Sequence, residues 1–201
     1  MAPRAALNGK SDTTAERLWT TAAVMFREQG YASATTRELA ERLGITRATL
    51  YYHISKKEDL LHGICREALQ RVTAAVTSAL EGVEDPKERI RSLMRAHLVS
   101  MLTDIDMHAT MLLELEALTG AYRQEVVGLR DQYESLVSST VFEAQRVGAL
   151  RTDVTAKQLT LALLGMLNWP ITWYRPGGGL DPADFAGTLF ELYVNGAMSR
   201  V

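Results

Sequence analysis

Apolar residues recur every three or four positions along most of the chain, with polar residues between them. This spacing matches the 3.6-residue period of an α-helix, whereas no segment alternates apolar and polar residues as a half-buried strand would. The first helix is predicted from about Thr14 to Gln29, with Leu18, Ala22 and Phe26 along one face. The pattern therefore predicts an all-α protein.

Glycine, proline and capping residues divide this pattern into separate helices. Gly30 follows the first helix, at a position where glycine commonly ends a helix in the left-handed conformation. A long helix is predicted from about Lys57 to Leu80, and its length makes it a natural connector between two parts of the molecule. About nine helices result, and the remaining boundaries are predicted at Gly82, Asp85–Pro86, Gly120, Gly148, Thr155, Pro170 and Asp181–Pro182.

The stretch TTRELAERLGITRATLYYHISKKEDLL contains two short helical patterns around one glycine. Thr35 and Glu38 have the spacing of a capping box, which predicts a helix start. Gly44 supplies the positive φ of a sharp turn, and Thr46 begins a second helix whose Leu50 returns to the same small core. This arrangement is typical of a helix-turn-helix motif.

In such a motif the second helix enters the major groove of DNA, and its first residues face base edges. Arg47 suits a bidentate pair with guanine, and the methyl groups of Ala48 and Thr49 suit a thymine methyl group. Taken singly, the tyrosines also fit half-buried packing and the lysines fit a solvated face, but together these residues favour DNA binding. The other candidate DNA contacts, mainly donors for phosphate oxygens, are Thr36, Thr46, Tyr51, Tyr52, His53 and Lys57.

Residues 14–61 resemble the DNA-binding domain of the TetR family of bacterial transcriptional repressors, almost position for position within the quoted stretch. The resemblance implies three helices, then a long linking helix and a larger all-α ligand-binding domain. It implies phosphate contacts for Thr36, Tyr51 and Lys57. It also implies base contacts for Arg37, Arg47, Ala48 and Thr49.

The predicted domain limits divide the chain into three parts. We expect a flexible arm over residues 1–11, a helix-turn-helix DNA-binding domain over residues 12–58, and a ligand-binding and dimerisation domain over residues 59–201. Two residues depart from the family pattern. Ile54 stands where phenylalanine is usual, and Lys56 where a small capping residue is common, which shifts the expected cap to Ser55.

Two groups of residues in the larger part are candidates for ligand binding. The first group fits a flexible apolar pocket or plain core, and comprises Met94, His97, Met101 and Met111. The second group combines aromatic surface and a cation beside a glycine-rich loop, and comprises Trp169, Trp173, Tyr174 and Arg175. This segment is similar to the carboxy-terminal segment of TetR-family members that sense acyl-CoA or steroid-catabolite CoA thioesters. It also fits an anchor in a dimer interface.

The last two predicted helices are the most apolar, and small residues such as Ala162, Gly165, Ala186 and Gly187 allow close helix packing. Two such helices from each of two subunits would form a four-helix bundle, the usual dimer interface of the family. The alternative is that these helices only close the core of the monomer. We predict a homodimer, because a helix-turn-helix module gains specificity from two half-sites.

Composition limits the remaining possibilities. The chain has 201 residues, of which 47% are apolar and 23% charged, enough for one large domain or two small ones. The net charge of −2 argues against a uniformly basic nucleic-acid binder, although residues 1–60 carry a small net positive charge. Cys65 is the single cysteine, so an intrachain disulfide is excluded. The absence of a long apolar run or a signal-peptide pattern favours the cytoplasm.

No residue pattern is typical of an enzyme. None of His53, His62, His97 and His108 belongs to a Glu-x-x-His pair, and neither a Walker-type loop nor a Gly-x-Ser-x-Gly elbow is present. We predict no enzymatic activity, no metal and no cofactor. The expected function is a homodimeric repressor, released from a palindromic operator by a small hydrophobic or acyl-CoA ligand. The alternative is a helical protein-interaction module without specific DNA binding, and activation instead of repression is also compatible with the sequence.

Overall fold

The computed structural model describes residues 8–197, with side chains described from residue 17 to residue 196. No strand occurs in this part of the chain, which confirms the predicted all-α class and the nine helices. Two short 3-10 helices, Leu115–Ala117 and Trp169–Thr172, follow α6 and α8. The α-helices are α1 (Asn8–Gln29), α2 (Thr36–Leu43), α3 (Arg47–His53), α4 (Lys57–Leu80), α5 (Pro86–Thr103), α6 (Ile105–Glu114), α7 (Gly120–Arg146), α8 (Ala156–Asn168) and α9 (Pro182–Ala197).

Most helix ends lie where the capping residues predict them. Gly44 has φ 67° and ends α2 in the left-handed region, which glycine adopts without steric cost. The Asp85 side chain accepts from the backbone N–H of Glu88 at 2.8 Å, and Pro86 opens α5. Thr155 and Gln158 form a complete capping box at the start of α8.

Two predicted boundaries are wrong. The first helix begins at Asn8 and not near Thr14, because the polar residues that favour a helix start do not prevent a helix from continuing. Residues 1–7 of the predicted arm lie outside the described residues. The helix expected to end at Gly120 ends at Glu114, since Leu118 has extended backbone angles after the short 3-10 helix. Gly120 is the first residue of α7.

The described chain divides into two compact units. Unit 1 contains residues 8–67 and 106–126, and unit 2 contains residues 68–105 and 127–197. The predicted limit between residues 58 and 59 does not coincide with this division, because side chains from 106–126 bond to α1 and the loop after it. The Thr110 hydroxyl donates to the Ala23 carbonyl at 3.2 Å, and the Tyr31 N–H donates to Glu114 at 3.0 Å. The functional domain limits stay a prediction.

Unit 1 packs α1 against α2 and α2 against α3. Its core includes Phe26, Leu39 and Leu50, each at most 1% exposed. Gly63 allows α4 to approach α1 closely, because a Cβ atom at this position would lie 3.1 Å from the Trp19 ring. Helices α1 and α4 thus form a closely packed support for the helix-turn-helix.

Unit 2 is built around α5, which packs against α8 and α9. Its fully buried side chains include Leu93, Leu98, Leu163 and Phe190. Burying one such side chain stabilises the folded state by about 1.5–3 kcal/mol. The apolar faces of α5, α8 and α9 therefore pack mainly within unit 2.

The described helices include none that is both long enough and apolar enough to cross a bilayer. In the same part of the chain, no three His, Cys, Asp or Glu residues are grouped as metal ligands would be. Cys65 is buried, and burial raises the pKa of its thiol to about 12. The thiol is thus protonated at neutral pH, as expected for a cysteine in the core.

Candidate functional site

Helix α3 is exposed along almost its whole length. Of its seven residues only Leu50 is buried, at 0% exposure, and Tyr52 is 86% exposed. The other exposed residues of the helix are Arg47, Ala48, Thr49, Tyr51 and His53. A helix that contributes one residue to its core presents the rest of its surface to solvent or to a binding partner.

The start of α3 is fixed by its cap. The Thr46 side chain accepts from the Thr49 N–H at 3.1 Å, and the two threonine hydroxyls lie 2.8 Å apart. On the preceding turn, the Ile45 N–H donates to the Ala40 carbonyl at 3.0 Å. Thr46 therefore orients the first turn of α3, in which Arg47 is the first residue.

Two predicted phosphate contacts, Thr36 and Tyr51, lie next to each other. The Thr36 hydroxyl is 3.1 Å from the Tyr51 hydroxyl, and this bond joins the first turn of α2 to α3. The Tyr52 and His53 rings make an edge contact, with centroids 5.3 Å apart. The structure thus brings together hydroxyl donors from two helices on one exposed surface.

Most cations near α2 and α3 already have partners within the chain. Arg42 pairs with Glu28 at 2.6 Å and with Glu38 at 2.9 Å. The Glu38 carboxylate also accepts from Gln29 at 2.8 Å, so Gln29, Glu38 and Arg42 form one side-chain network. Only the Thr35 half of the predicted capping box is present, where the Thr35 hydroxyl accepts from the Glu38 N–H at 3.2 Å.

Lys57 is held by backbone carbonyl groups. Its ammonium donates to the carbonyls of Tyr31, Ala32 and Ala34 at 2.8, 3.2 and 3.0 Å, and lies 4.3 Å from the centroid of the Tyr31 ring. Burial lowers the pKa of Lys57, while the nearby charge of Glu114 opposes this shift. Because an ammonium has three donors, a phosphate contact would have to replace one of these bonds.

Two acidic residues at the start of α4 were not identified as functional candidates from the sequence. The Asp59 carboxylate accepts from the N–H groups of Ser55 and Lys56 at 2.7 and 3.0 Å, which satisfies two backbone donors at the start of α4. Glu58 accepts from both the N–H and the hydroxyl of Thr119 at 2.8 Å. Hydrogen bonds from Lys56 and Thr119 lower the pKa of Glu58 to about 2. Two acids in a first helical turn are the signal that predicts such bonds.

The first group of predicted ligand residues is buried. Met94 and Met101 are fully buried in unit 2, whereas Met111 belongs to unit 1 and is 5% exposed. His97 is 4% exposed, with Nδ1 2.6 Å from the Tyr133 hydroxyl and Nε2 3.1 Å from Asn168 Oδ1. The methionines thus occupy core positions.

The second group divides into exposed and buried members. Trp169 and Trp173 are 68% and 45% exposed, and Arg175 is also exposed. Tyr174 is buried, and its hydroxyl donates to the Leu180 carbonyl at 3.3 Å. The two tryptophans border an open groove of about 360 Å³, which is lined by Gly165, Met166, Trp169, Pro170, Trp173, Phe185 and Leu189.

Helices α8 and α9 expose apolar residues beside this groove. Leu161 on α8 is 51% exposed, and Leu192 on α9 is 62% exposed. Ala162 and Gly165 are exposed as well, whereas Ala186 is buried and serves the core of unit 2. Exposed apolar residues recurring along two neighbouring helices are typical of a protein interface.

Comparison with known proteins matches both parts of the chain. Residues 18–64 match bacterial regulatory proteins of the tetR family, and residues 83–197 match the tetracyclin repressor-like C-terminal domain. The chain is 26% identical to the HTH-type transcriptional repressor KstR2 of Mycobacterium tuberculosis over 184 residues, which cover 89% of this chain and 90% of KstR2.

Solved structures agree with this match. The TetR-family regulator PfmR from Thermus thermophilus has a TM-score of 0.83 and 33% identity, with coverage of 92% of this chain and 100% of PfmR. AibR in complex with isovaleryl coenzyme A and operator DNA has a TM-score of 0.79 and 26% identity, with coverage of 88% and 96%. These relatives are regulators and not enzymes. The chain belongs to the TetR family of bacterial regulatory proteins.

Proposed function

We propose that the protein is a homodimeric, effector-responsive repressor that binds a palindromic operator through α2 and α3. The observation that carries the proposal is α3 itself, which buries Leu50 and exposes its six other residues. Repressor function is supported by the similarity to KstR2 over most of both chains. A cytoplasmic location, where the chromosome is accessible, is part of the proposal.

Base recognition is assigned to the first turn of α3. Arg47 opens the helix and, in the part of the chain that the structure describes, has no ion-pair partner, so its guanidinium is free to pair with guanine O6 and N7. Ala48 and Thr49 supply methyl groups beside it. The bonded hydroxyls of Thr36 and Tyr51 are assigned to phosphate, where they fix the register of α3 on the duplex.

Arg47→Ala is expected to weaken operator binding by about 1–3 kcal/mol and to relax discrimination at one base pair of each half-site, because a bidentate pair is lost. The measurement is titration of the selected operator and of single-base variants at fixed salt. Arg130→Ala removes the same charge from an exposed position on α7 and serves as the control. Equal binding of parent and Arg47→Ala on every duplex would contradict the assigned register of α3.

The exposed apolar faces of α8 and α9 are assigned to the homodimer. Their pairing with the same helices of a second subunit would make a four-helix bundle and bury Leu161 and Leu192. Two-fold symmetry would then present two α3 helices to half-sites about 34 Å apart. The palindrome in the operator follows from this symmetry.

The effector is assigned to unit 2, and its class to small hydrophobic compounds or acyl-CoA thioesters. The likeness to AibR, whose structure contains isovaleryl coenzyme A, supports this class. Exposed Trp173 and Arg175 provide a ring surface and a cation suited to an adenine or a phosphate. An effector that binds better to a conformation with the wrong spacing of the two α3 helices would release the operator, and α4 would transmit the change.

Trp173→Ala and Arg175→Ala are expected to retain operator binding and to need about tenfold more effector for release, because stacking and charge contacts are lost. The measurement is operator release by a panel of acyl-CoA thioesters that includes isovaleryl-CoA. Phe142→Ala removes another exposed aromatic side chain, on α7, as a control. Normal release in both variants would return the segment to a structural role, and sedimentation would show whether that role is dimerisation.

The whole proposal is tested by selecting bound sequences from a random duplex pool, followed by salt titration of the enriched duplex. A palindrome whose binding weakens steeply with salt is the expected result. Failure to enrich any sequence would favour the alternative, a helical module that binds another protein.

A further inference from the structure

The first turn of α2 contains an arginine whose orientation is set by a neighbouring carboxylate. Arg37 Nε donates to Glu41 Oε1 at 2.9 Å, one helical turn further along. Both side chains are exposed, Arg37 to 74% and Glu41 to 64%. The bond between Thr36 and Tyr51 places this turn of α2 beside the exposed surface of α3. Arg37 and Glu41 therefore belong to the surface proposed to meet DNA.

The bond uses only one of the nitrogen atoms of the guanidinium. An arginine presents five N–H donors in a planar fork, and Glu41 accepts from Nε. The edge that carries Nη1 and Nη2 keeps its donors for another acceptor pair. Guanine O6 and N7 form such a pair in the major groove. A guanidinium that is already held at Nε loses less conformational freedom when it binds this pair.

We propose that Glu41 is a positioning residue that sets operator specificity, by holding Arg37 for a guanine and by repelling phosphate from the same surface. This inference rests on the proposed function and concerns its DNA-binding surface. Both effects of Glu41 increase specificity. Orientation of Arg37 favours the correct base pair, while the negative charge weakens binding to duplexes that offer only phosphates.

Stability does not account for a carboxylate at this position. An exposed ion pair one turn apart on a helix contributes little to folding. The other acids nearby have partners that join separate segments, such as Glu38 with Gln29 and Glu58 with Thr119. Glu41, by contrast, is bonded to the base-reading candidate on its own helix.

Arg47 provides a comparison within the same surface. It is exposed at the first position of α3, yet no carboxylate of the described residues pairs with it. The two arginines therefore differ in preorganisation, although both are expected to read bases. Removal of Glu41 should alter discrimination at the base pair read by Arg37 and leave the base pair read by Arg47 unchanged.

The test uses the full chain with Glu41→Gln, which removes the charge, replaces the charge-assisted bond to Arg37 by a weaker neutral one and keeps nearly the same size. Parent and variant are titrated with the selected operator, with single-base variants and with an unrelated duplex. We expect the affinity for the unrelated duplex to rise about threefold to tenfold at low salt. The slope of log affinity against log salt concentration should become steeper by about 0.9 for each additional phosphate that the variant neutralises. Discrimination at one base pair of each half-site should fall about tenfold, within the range that one good bidentate pair supplies.

Glu143→Gln is the matched control. Arg146 Nε donates to Glu143 at 2.9 Å on α7, so the control removes the negative charge from a bond between the same kinds of group at the same distance. It should bind all duplexes as the parent does. In an Arg37→Ala background, Glu41→Gln should cause no further loss at the affected base pair, because the group it positions is absent.

A Glu41→Gln variant that matches the parent on all duplexes and at all salt concentrations would overturn the inference. Equal effects of Glu41→Gln and Glu143→Gln would also overturn it, since the cause would then be net charge alone. A parent that enriches no duplex would overturn the proposed function and this inference with it. These outcomes are distinct, because the parent is measured first.

Discussion

Leu192→Arg is expected to convert the dimer into a monomer and to weaken operator binding by at least about a hundredfold, since linkage of two binding modules increases affinity by about 10²–10⁴-fold. The Leu192 side chain is 62% exposed on α9, in the face assigned to the second subunit. A dimer would bury an unpaired guanidinium at this position, which is strongly unfavourable. Two half-sites would then be bound by separate monomers.

Mass determination by sedimentation, followed by operator titration, measures both effects. Leu113→Arg is the control, because Leu113 is 66% exposed on α6 and the substitution makes the same change outside α8 and α9. It should remain dimeric and bind the operator normally. A dimeric Leu192→Arg variant would place the dimer interface elsewhere, whereas a monomeric parent at micromolar concentration would contradict the proposed homodimer.

The second large effect is expected for Leu50→Ala. Leu50 is the single buried residue of α3 and is 0% exposed. Loss of a buried leucine side chain costs about 2–5 kcal/mol, because transfer free energy is lost and a cavity is left. Since a seven-residue helix has little stability of its own, α3 should detach from the rest of unit 1 and operator binding should disappear.

Hydrogen exchange of the α3 amides and operator titration test this expectation. Leu93→Ala is the control, because Leu93 is equally buried but belongs to unit 2. Its global stability should fall by a similar amount, while the folded fraction retains slow exchange in α3 and normal operator affinity. Full operator affinity in Leu50→Ala would mean that α3 is held by contacts other than this side chain.

The helix-turn-helix was predictable because its signals are local. Thr46 and Gly44 mark the turn within a few residues, and both have the predicted geometry. The start of α1 was placed too late for the same reason. Capping residues indicate where a helix is able to begin, but they do not prevent it from extending further towards the amino terminus.

The roles of individual polar side chains were less predictable. Lys57 and Glu38 both have the sequence positions expected from their patterns, yet Lys57 bonds to three carbonyls and Glu38 bonds to Gln29 and Arg42. Most of these partners come from another segment of the fold. Long, flexible charged side chains take whichever partner the tertiary structure brings within reach.

The ligand candidates show the same limit. Trp173 and Tyr174 are neighbours in a segment of aromatic residues, but one is exposed and the other is buried with a bonded hydroxyl. A short 3-10 helix ends at Thr172, directly before these two residues. Composition alone identified the segment and did not separate the two roles.

By itself the sequence determined the all-α class, most helix ends, the helix-turn-helix and the family resemblance. These features depend on periodicity and capping within about one or two helical turns. Only the tertiary structure decided that residues 106–126 belong with α1, α2 and α3, and that His97 bonds to Tyr133 and Asn168. Asn168 lies 71 positions along the chain from His97, whereas the Arg37–Glu41 bond forms over four positions. The difference arises because distant partners are chosen by packing of the whole chain, which no local spacing encodes.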